Sequence, residues 1–397
     1  MGPTAARPVL IAGGGIGGLA AALGLAQKGI PSILLEKASA LGEIGAGIQL
    51  GPNAFHAFDY LGVGEAARSM AVYIDQLRLM DALSAEEITH VDLRDAFRSR
   101  FGNPYGVVHR GDLHGVFLRA CQNHDLIELR VSSEVLDYDQ DGSSVTVRLA
   151  SGDNVTGSLL IGADGLWSNI RKRVAADGPP RVSGHTTYRS VIPTEEMPED
   201  LRWNAATLWA GPKCHIVHYP LSGWKVFNLV VTYHNDAPEP VAGKPVSDEE
   251  VMTGFQHLHD RAKDIIRHGG NWRLWVLCDR DPTEHWIDGR VALLGDAAHP
   301  MLQYFAQGAC MALEDAVCLS HMLGAYPDDH ASALDRYRLQ RFPRTARVQL
   351  LSRAIGEHIY HPAGEHARIR NAIMSAKTSE DYYGDLAWLY GGTGLAG

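Results

Sequence analysis

Pro8-Val-Leu-Ile-Ala-Gly13-Gly-Gly15-Ile-Gly-Gly18-Leu-Ala20, with Ile33-Leu-Leu-Glu36 after it, is the stretch that decides the fold of this chain. Val9 to Ala12 predicts a buried strand, the glycines a turn, the residues beyond Gly15 a helix, and Ile33 to Leu35 a second strand ending on an acid. Gly13 permits the tight turn, Gly15 lets backbone approach a pyrophosphate, and Gly18 lets the helix pack close to the strand. The helix start then offers free N–H groups and a positive dipole end to phosphate. Glu36, followed by Lys37, stands where an acceptor for a ribose hydroxyl belongs, roughly 20 residues on. The segment therefore predicts dinucleotide binding.

Two plainer readings compete. The run from Val9 to Ala26 has the length of a membrane span, and Arg7 before it is compatible with a signal peptide. Six glycines inside the run, the polar break at Gln27-Lys28-Gly29 and the acid at Glu36 argue against both. No other stretch resembles a membrane segment. The 397 residues suggest more than one folding unit. A hydrophobic content of 45% with 21% charged residues is that of an ordinary soluble protein. The net charge of −10 argues against a nucleic-acid surface. Cys121, Cys214, Cys278, Cys310 and Cys318 are odd in number and scattered, with no CxxC pair. Neither structural disulfides nor a metal site is expected, and a reducing cytoplasm fits.

Downstream, Gly42 to Gly51 reads as a glycine-rich loop containing Gly45, Gly47 and Gln49, suited to close approach of a ligand. Helices are expected from about Asn53 to Leu61 and after Val107-Val-His-Arg110. Val135 to Leu149 alternates like a hairpin turning at Asp141-Gly142. Leu159 to Ile161 is a short buried strand ending in Gly162-Ala-Asp164-Gly165. From about Thr186 to Trp275 the character changes to antiparallel strands, a polar loop (Asn235 to Ser247) and helices from Glu249 to His268. A buried strand returns at Val291 to Leu294 and ends in Gly295-Asp296-Ala-Ala-His299-Pro300. Two helices follow, roughly Gly308 to Gly324 and Ala331 to His358. A nucleotide-binding unit interrupted in this way suits FAD, which is long and crosses several loops, better than NAD alone.

Gly13-x-Gly15-x-x-Gly18, Gly162-Ala-Asp164-Gly165 and Gly295-Asp296-Ala-Ala-His299-Pro300 stand in this order, and their spacing resembles that of the single-component (group A) flavoprotein aromatic hydroxylases. The resemblance spans essentially the whole chain. It implies an α/β fold: a discontinuous Rossmann-like FAD-binding domain, an inserted mainly antiparallel-sheet substrate domain and a C-terminal helical tail. The expected divisions are 1–75, 106–180 and 279–345 for FAD, 76–105 and 181–278 for substrate, and 346–397 for the tail. By resemblance, Asp296 would hold a ribityl hydroxyl; a helix N-cap is the alternative for such an acid. Arg110 would reach the pyrophosphate, or be a surface arginine. Asp164, with Gly165 and Arg171, would touch both FAD and a visiting nicotinamide cofactor. Gly308 and Ala309, opening a helix after Gln307, would face the edge of the flavin that becomes anionic. No second GxGxxG occurs, consistent with NADH or NADPH visiting without a domain of its own.

On Lys213-Cys-His215-Ile-Val-His218-Tyr219, strand periodicity points His215, Val217 and Tyr219 one way and Cys214, Ile216 and His218 the other. Gln303, just after Pro300, would approach the same ring from the FAD side. With Met301-Leu-Gln303-Tyr-Phe-Ala-Gln307-Gly-Ala-Cys310, this trio resembles the 3-hydroxybenzoate 6-hydroxylases. The resemblance implies NADH-dependent hydroxylation of 3-hydroxybenzoate to gentisate by way of a flavin hydroperoxide. His215 and Gln303 would engage the phenol oxygen as catalytic residues, and Tyr219 would orient the substrate. The plainer role for His215 is that of a satisfied sheet histidine, since the chain has 19 histidines. His299 reads as packing beneath the flavin loop. Tyr188-Arg189 offers either carboxylate recognition or an ordinary strand position. The implied partners are non-covalent FAD, NADH, O2 and a small aromatic acid, in a cytoplasmic protein with no membrane span. Alternatives are a salicylate hydroxylase, a 6-hydroxynicotinate 3-monooxygenase and an FAD oxidoreductase that inserts no oxygen. Tyr382, Tyr383, Trp388 and Tyr390 read as exposed tail aromatics, a possible homodimer contact.

Overall fold

Val9–Ala12 is buried at all four positions and forms a central strand of a six-stranded sheet, because its apolar residues have layers on both faces to bury against. The computed structural model describes residues 7–42 and 46–392; Gly45, noted above, lies outside them. The sheet runs Ile287–Asp288, Val291–Leu293, Leu160–Gly162, Val9–Ala12, Ser32–Leu35, Ile127–Arg130, with only the first pair antiparallel. Helix Ile16–Gln27 lies against helix Gly308–Ala325 and shares one core with the sheet. Three separated parts of the chain thus end their strands side by side, and ligands of such sheets bind beyond those ends.

The second large sheet has eight strands in the order Ala242–Pro245, Arg273–Asp279, Arg181–Pro193, Val226–His234, Cys214–Leu221, Ala205–Gly211, Gln76–Asp81, Glu87–Asp92. All pairs are antiparallel except Ala205–Gly211 with Gln76–Asp81. One face is covered by helices Asp248–Thr253 and Asp260–Arg267, whose Val251, Ala262, Ile265 and Ile266 pack onto Cys214, Ile216, Leu229 and Val231. The other face is left to the functional site.

Several expectations need correction. Part of the glycine-rich loop is a strand: Gly47–Leu50 pairs with Gly106–His109, which satisfies its backbone groups. The polar loop before Ser247 contains the edge strand Ala242–Pro245, paired with Arg273–Asp279; at a sheet edge one face suffices, so polar sequence is tolerated. The tail aromatics are not exposed. Tyr382, Tyr383 and Tyr390 of helix Ser379–Tyr390 are buried in their own chain, the last two against Phe97 and Phe101. All five cysteines are free, four of them buried. No helix among the described residues is long and apolar enough to cross a membrane.

Candidate active site

Between the strand ends of the first sheet and the open face of the second lies a cavity of about 520 Å³, roofed by the C-terminal helices. Gly13, at φ +109°, turns the chain where a Cβ would sit 2.4 Å from the Ala163 carbonyl oxygen. A Cβ on Gly18 would be 2.0 Å from the Gly13 oxygen, so only glycine allows this strand and helix to meet. Helix Ile16–Gln27 then begins with Gly15 as its cap, with no side-chain cap and no acid in its first turn. Helix Gly308–Ala325 starts the same way after Gln307. Both starts line the cavity, and two uncapped helix N-termini make it electropositive.

Asp296 also lines the cavity and caps no helix, unlike the plainer reading of that acid. Its segment is fixed from beneath. His299 Nε2 lies 2.5 Å from Asp315 Oδ2, which also accepts the Gly295 N–H at 3.0 Å. Asp315 and Glu314 accept from Arg341 at 2.7 and 2.6 Å, and Arg344 donates to Glu314 at 2.6 Å. Burial alone would push the Asp315 carboxyl up, but the His299 and Arg341 charges outweigh it and hold it at about 2. His299 is thus packing beneath the loop. Arg171, fully buried, donates to the carbonyls of Ala297 and Ala298 at 2.9 and 2.5 Å, so it braces the loop rather than meeting a ligand.

Of the cofactor residues expected from sequence, Gly15, Gly47, Gln49, Arg110, Asp296, Gly308 and Ala309 line this one cavity. Gly13 and Gly18 lie behind it as the turn. Glu36 sits at the mouth of the glycine turn and accepts the N–H groups of Gly14 at 2.6 Å and Ala38 at 2.8 Å; Lys37 beside it is exposed. Asp164 turns away. Its carboxylate accepts from Ser168 Oγ at 2.5 Å and from the Asn169 and Ile170 N–H groups, so it caps helix Asn169–Val174 while Gly165 takes the wall. Those first-turn donors need an acceptor, and Asp164 is the acid within reach. Burial pushes its carboxyl up, against these hydrogen bonds, which pull it down.

The substrate side is the open face of the eight-stranded sheet. His215, Val217 and Tyr219 line the cavity as the alternation requires, while Cys214 and Ile216 enter the opposite core and His218 takes a bond from Trp209 Nε1 at 3.1 Å. His215 is 1% exposed, its Nδ1 2.8 Å from His361 Nε2. Burial, with His361 and His185 close by, pushes its imidazole well below the ordinary value, so it is neutral. Gln303 comes from the other wall. Its Nε2 donates to Thr187 Oγ1 at 3.0 Å and Thr232 Oγ1 at 3.2 Å, and its Oε1 accepts from Arg189 at 3.2 Å. Arg189 lines the cavity and makes no ion pair among the described residues; its guanidinium lies 5.4 Å from the centre of the Trp275 ring, and its Nε is buried without a partner. Its neighbour Tyr188 enters the opposite core.

Sequence reasoning did not find His361, Tyr360, Tyr304, Thr187, Thr232 or Asn228. Tyr360 ends the π-helical turn Gly356–Tyr360 that continues helix His330–Ile355. Gly356 is needed there, because a Cβ would lie 2.6 Å from the Tyr304 ring. Asn228 accepts the Gly47 N–H at 2.8 Å and so joins the two walls. The cross-strand pair Asn228–Tyr219 was the available signal: both point to the face that carries His215.

The fold and the cavity define an FAD-dependent enzyme whose ring-sized substrate would lie between two walls. A family model described as an FAD binding domain matches residues 6–352, and the chain belongs to that family. It is 56% identical over 383 residues (96% of this chain, 97% of the relative) to 3-hydroxybenzoate 6-hydroxylase 1 of Aquipseudomonas alcaligenes. It is 48% identical over 382 residues, 96% of each chain, to 3-hydroxybenzoate 6-hydroxylase of Klebsiella oxytoca. Among solved structures, Klebsiella pneumoniae HpxO complexed with FAD and uric acid superposes with a TM-score of 0.85 at 25% identity, covering 97% of this chain and 96% of that one. The chain is a group A flavoprotein hydroxylase, and FAD is its cofactor.

Proposed function

We propose that this enzyme hydroxylates 3-hydroxybenzoate para to its hydroxyl, giving 2,5-dihydroxybenzoate (gentisate), with FAD bound, NADH as reductant and O2 as co-substrate. The observation that carries the proposal is 56% identity to a protein of that activity along 97% of its length. The residues suit FAD: two uncapped helix starts for its phosphates and flavin edge, an Asp296 carboxylate that lines the cavity and has no partner among the described residues for a ribityl hydroxyl, and a glycine turn no side chain could enter. On this reading, 1–75, 106–180 and 279–345 hold the cofactor, 76–105 and 181–278 the substrate, and 346–397 the roof. Bound FAD supplies the activation of O2 that delivers one oxygen atom to the ring and the other to water.

The protein's part is to make the ring electron-rich and hold its para carbon in place. His215 Nδ1 is engaged by His361, which leaves Nε2 toward the cavity as an acceptor for the phenolic proton. Gln303, fixed by Thr187, Thr232 and Arg189, is the second partner of the phenol oxygen. Tyr219 orients the ring, and Arg189, a half-buried cation without an ion-pair partner among the described residues, meets the substrate's carboxylate. Tyr382, Leu386 and Tyr390 line the apolar side of the cavity. The test is product identification. NADH consumption should rise sharply with 3-hydroxybenzoate and yield 2,5-dihydroxybenzoate. Turnover of salicylate to catechol, with 3-hydroxybenzoate inert, would replace this substrate; NADH consumption without any ring product would indicate a non-hydroxylating oxidoreductase.

A further inference from the structure

Four histidines, not one, stand in line from the cavity to the surface. His215 and His361 are stacked at 5.0 Å and joined by the 2.8 Å Nδ1–Nε2 contact. The His361 ring is 5.1 Å from that of His185, which is 4.2 Å from that of His234. His234 Nε2 lies 3.2 Å from the Asp236 carboxylate; their side chains are 33% and 81% exposed. His361 and His234 are pinned through one residue: the Lys213 N–H donates to the His361 carbonyl at 3.2 Å, and the His234 N–H to the Lys213 carbonyl at 2.8 Å. Tyr304 hydrogen-bonds His185 Nδ1, and Tyr360 packs on the His215 ring. Arg181 and the Asp279 it pairs with are the other charges facing the row.

We propose that His215, His361, His185 and His234 form a proton relay that carries the substrate's phenolic proton from the sheet wall of the cavity to Asp236 and solvent. The proposal rests on the reading of His215 as the acceptor for that proton. A buried imidazolium at His215 is costly, so a lone base there would return the proton to the phenolate. A ring hydrogen-bonded at its far nitrogen avoids that cost. The phenol O–H bond breaks as an N–H bond forms at His215 Nε2, while the Nδ1–H bond of His215 breaks as one forms at His361 Nε2. His361 then releases its Nδ1 proton to Nε2 of His185, whose Nδ1 is held by Tyr304; His185 gives a proton on to Nδ1 of His234 as the Nε2 proton of His234 passes to the Asp236 carboxylate, with a ring rotation or one water spanning each gap that no hydrogen bond closes. No redox partner is consumed, and the electron pair stays on the phenolate oxygen. Arg181 opposes a resting charge on His185, and Asp236 draws the proton outward.

The test is anaerobic stopped-flow mixing of oxidised holoenzyme with 3-hydroxybenzoate in weak buffer containing a pH-indicator dye. It reads proton release and phenolate absorbance together with substrate affinity from the flavin spectrum. His361→Phe should bind substrate with little change in Kd and release the proton about tenfold more slowly, a share of the roughly 10²–10⁴-fold of a full general base. His234→Phe, at a partly exposed position that tolerates change, should also slow release. A merely structural role would alter affinity or stability without this kinetic split. Wild-type release rates in both variants overturn the relay. If His215→Ala loses proton release while both outer variants keep it, the relay fails and the base assignment stands. If His215→Ala releases normally, both fail.

Discussion

Arg189 concentrates the electrostatic logic of the site in one side chain. A half-buried guanidinium with no ion-pair partner among the described residues is desolvated without compensation until an anion arrives, so on the proposed reading its position favours an aromatic acid over a neutral phenol. Replacing it by methionine keeps bulk and removes the charge-assisted bond, worth about 1.5–3 kcal/mol. Arg189→Met should raise KM for 3-hydroxybenzoate by about tenfold or more while leaving that for 3-hydroxybenzyl alcohol nearly unchanged. Steady-state kinetics on the two substrates decide it: an equal rise in both contradicts carboxylate recognition. Gln303 depends on the same residue, because its carbonyl accepts from Arg189 while two threonines take its amide protons.

Elements place these residues by means that differ in how far they can be read from sequence. The strand–glycine–helix start is local, so Gly13, Gly15 and Gly18 announce it. The alternation on Cys214–Leu221 is local too, and it sorts His215, Val217 and Tyr219 correctly onto one face. His361 is 146 residues from His215, and Thr187 is 116 from Gln303; no periodicity links them. The helix Ser379–Tyr390 misleads for the same reason, since Phe97 and Phe101, which cover its tyrosines, belong to a distant helix. The acid after Gly162 misleads differently: nothing in the motif says that the next helix will claim it. Helices Gly308–Ala325 and His330–Ile355 are clamped by the buried group of Glu314, Asp315, Arg341 and Arg344. Arg341→Met leaves two buried carboxylates under-compensated and should destabilise the fold by roughly 3–5 kcal/mol. A lowered urea midpoint with unchanged slope, and weaker FAD retention, are expected; an unchanged midpoint contradicts the clamp.

At the scale of the molecule, two sheets and a helical roof enclose a cavity that no one of them forms, and the enclosure leaves a signature in pH. Burial pushes His185 down to about 4 and His361 to about 3, against 6.5 for an unhindered imidazole. Below that ordinary value the unfolded chain takes up protons that the native protein refuses. Stability is therefore full above it and is lost as pH falls toward the folded values. The wild-type Tm should drop between about pH 6.5 and about pH 4, and that of His185→Gln should drop less; parallel profiles contradict the burial of neutral histidines. The proposed reaction needs the opposed walls to act on one substrate, a base on the sheet side and FAD on the other. Rapid mixing of His215→Ala holoenzyme tests this most directly, with flavin reduction by NADH and product formation followed separately. Reduction should stay near the wild-type rate while hydroxylation slows by roughly 10²–10⁴-fold. Equal loss in both steps, or no loss in either, would contradict it.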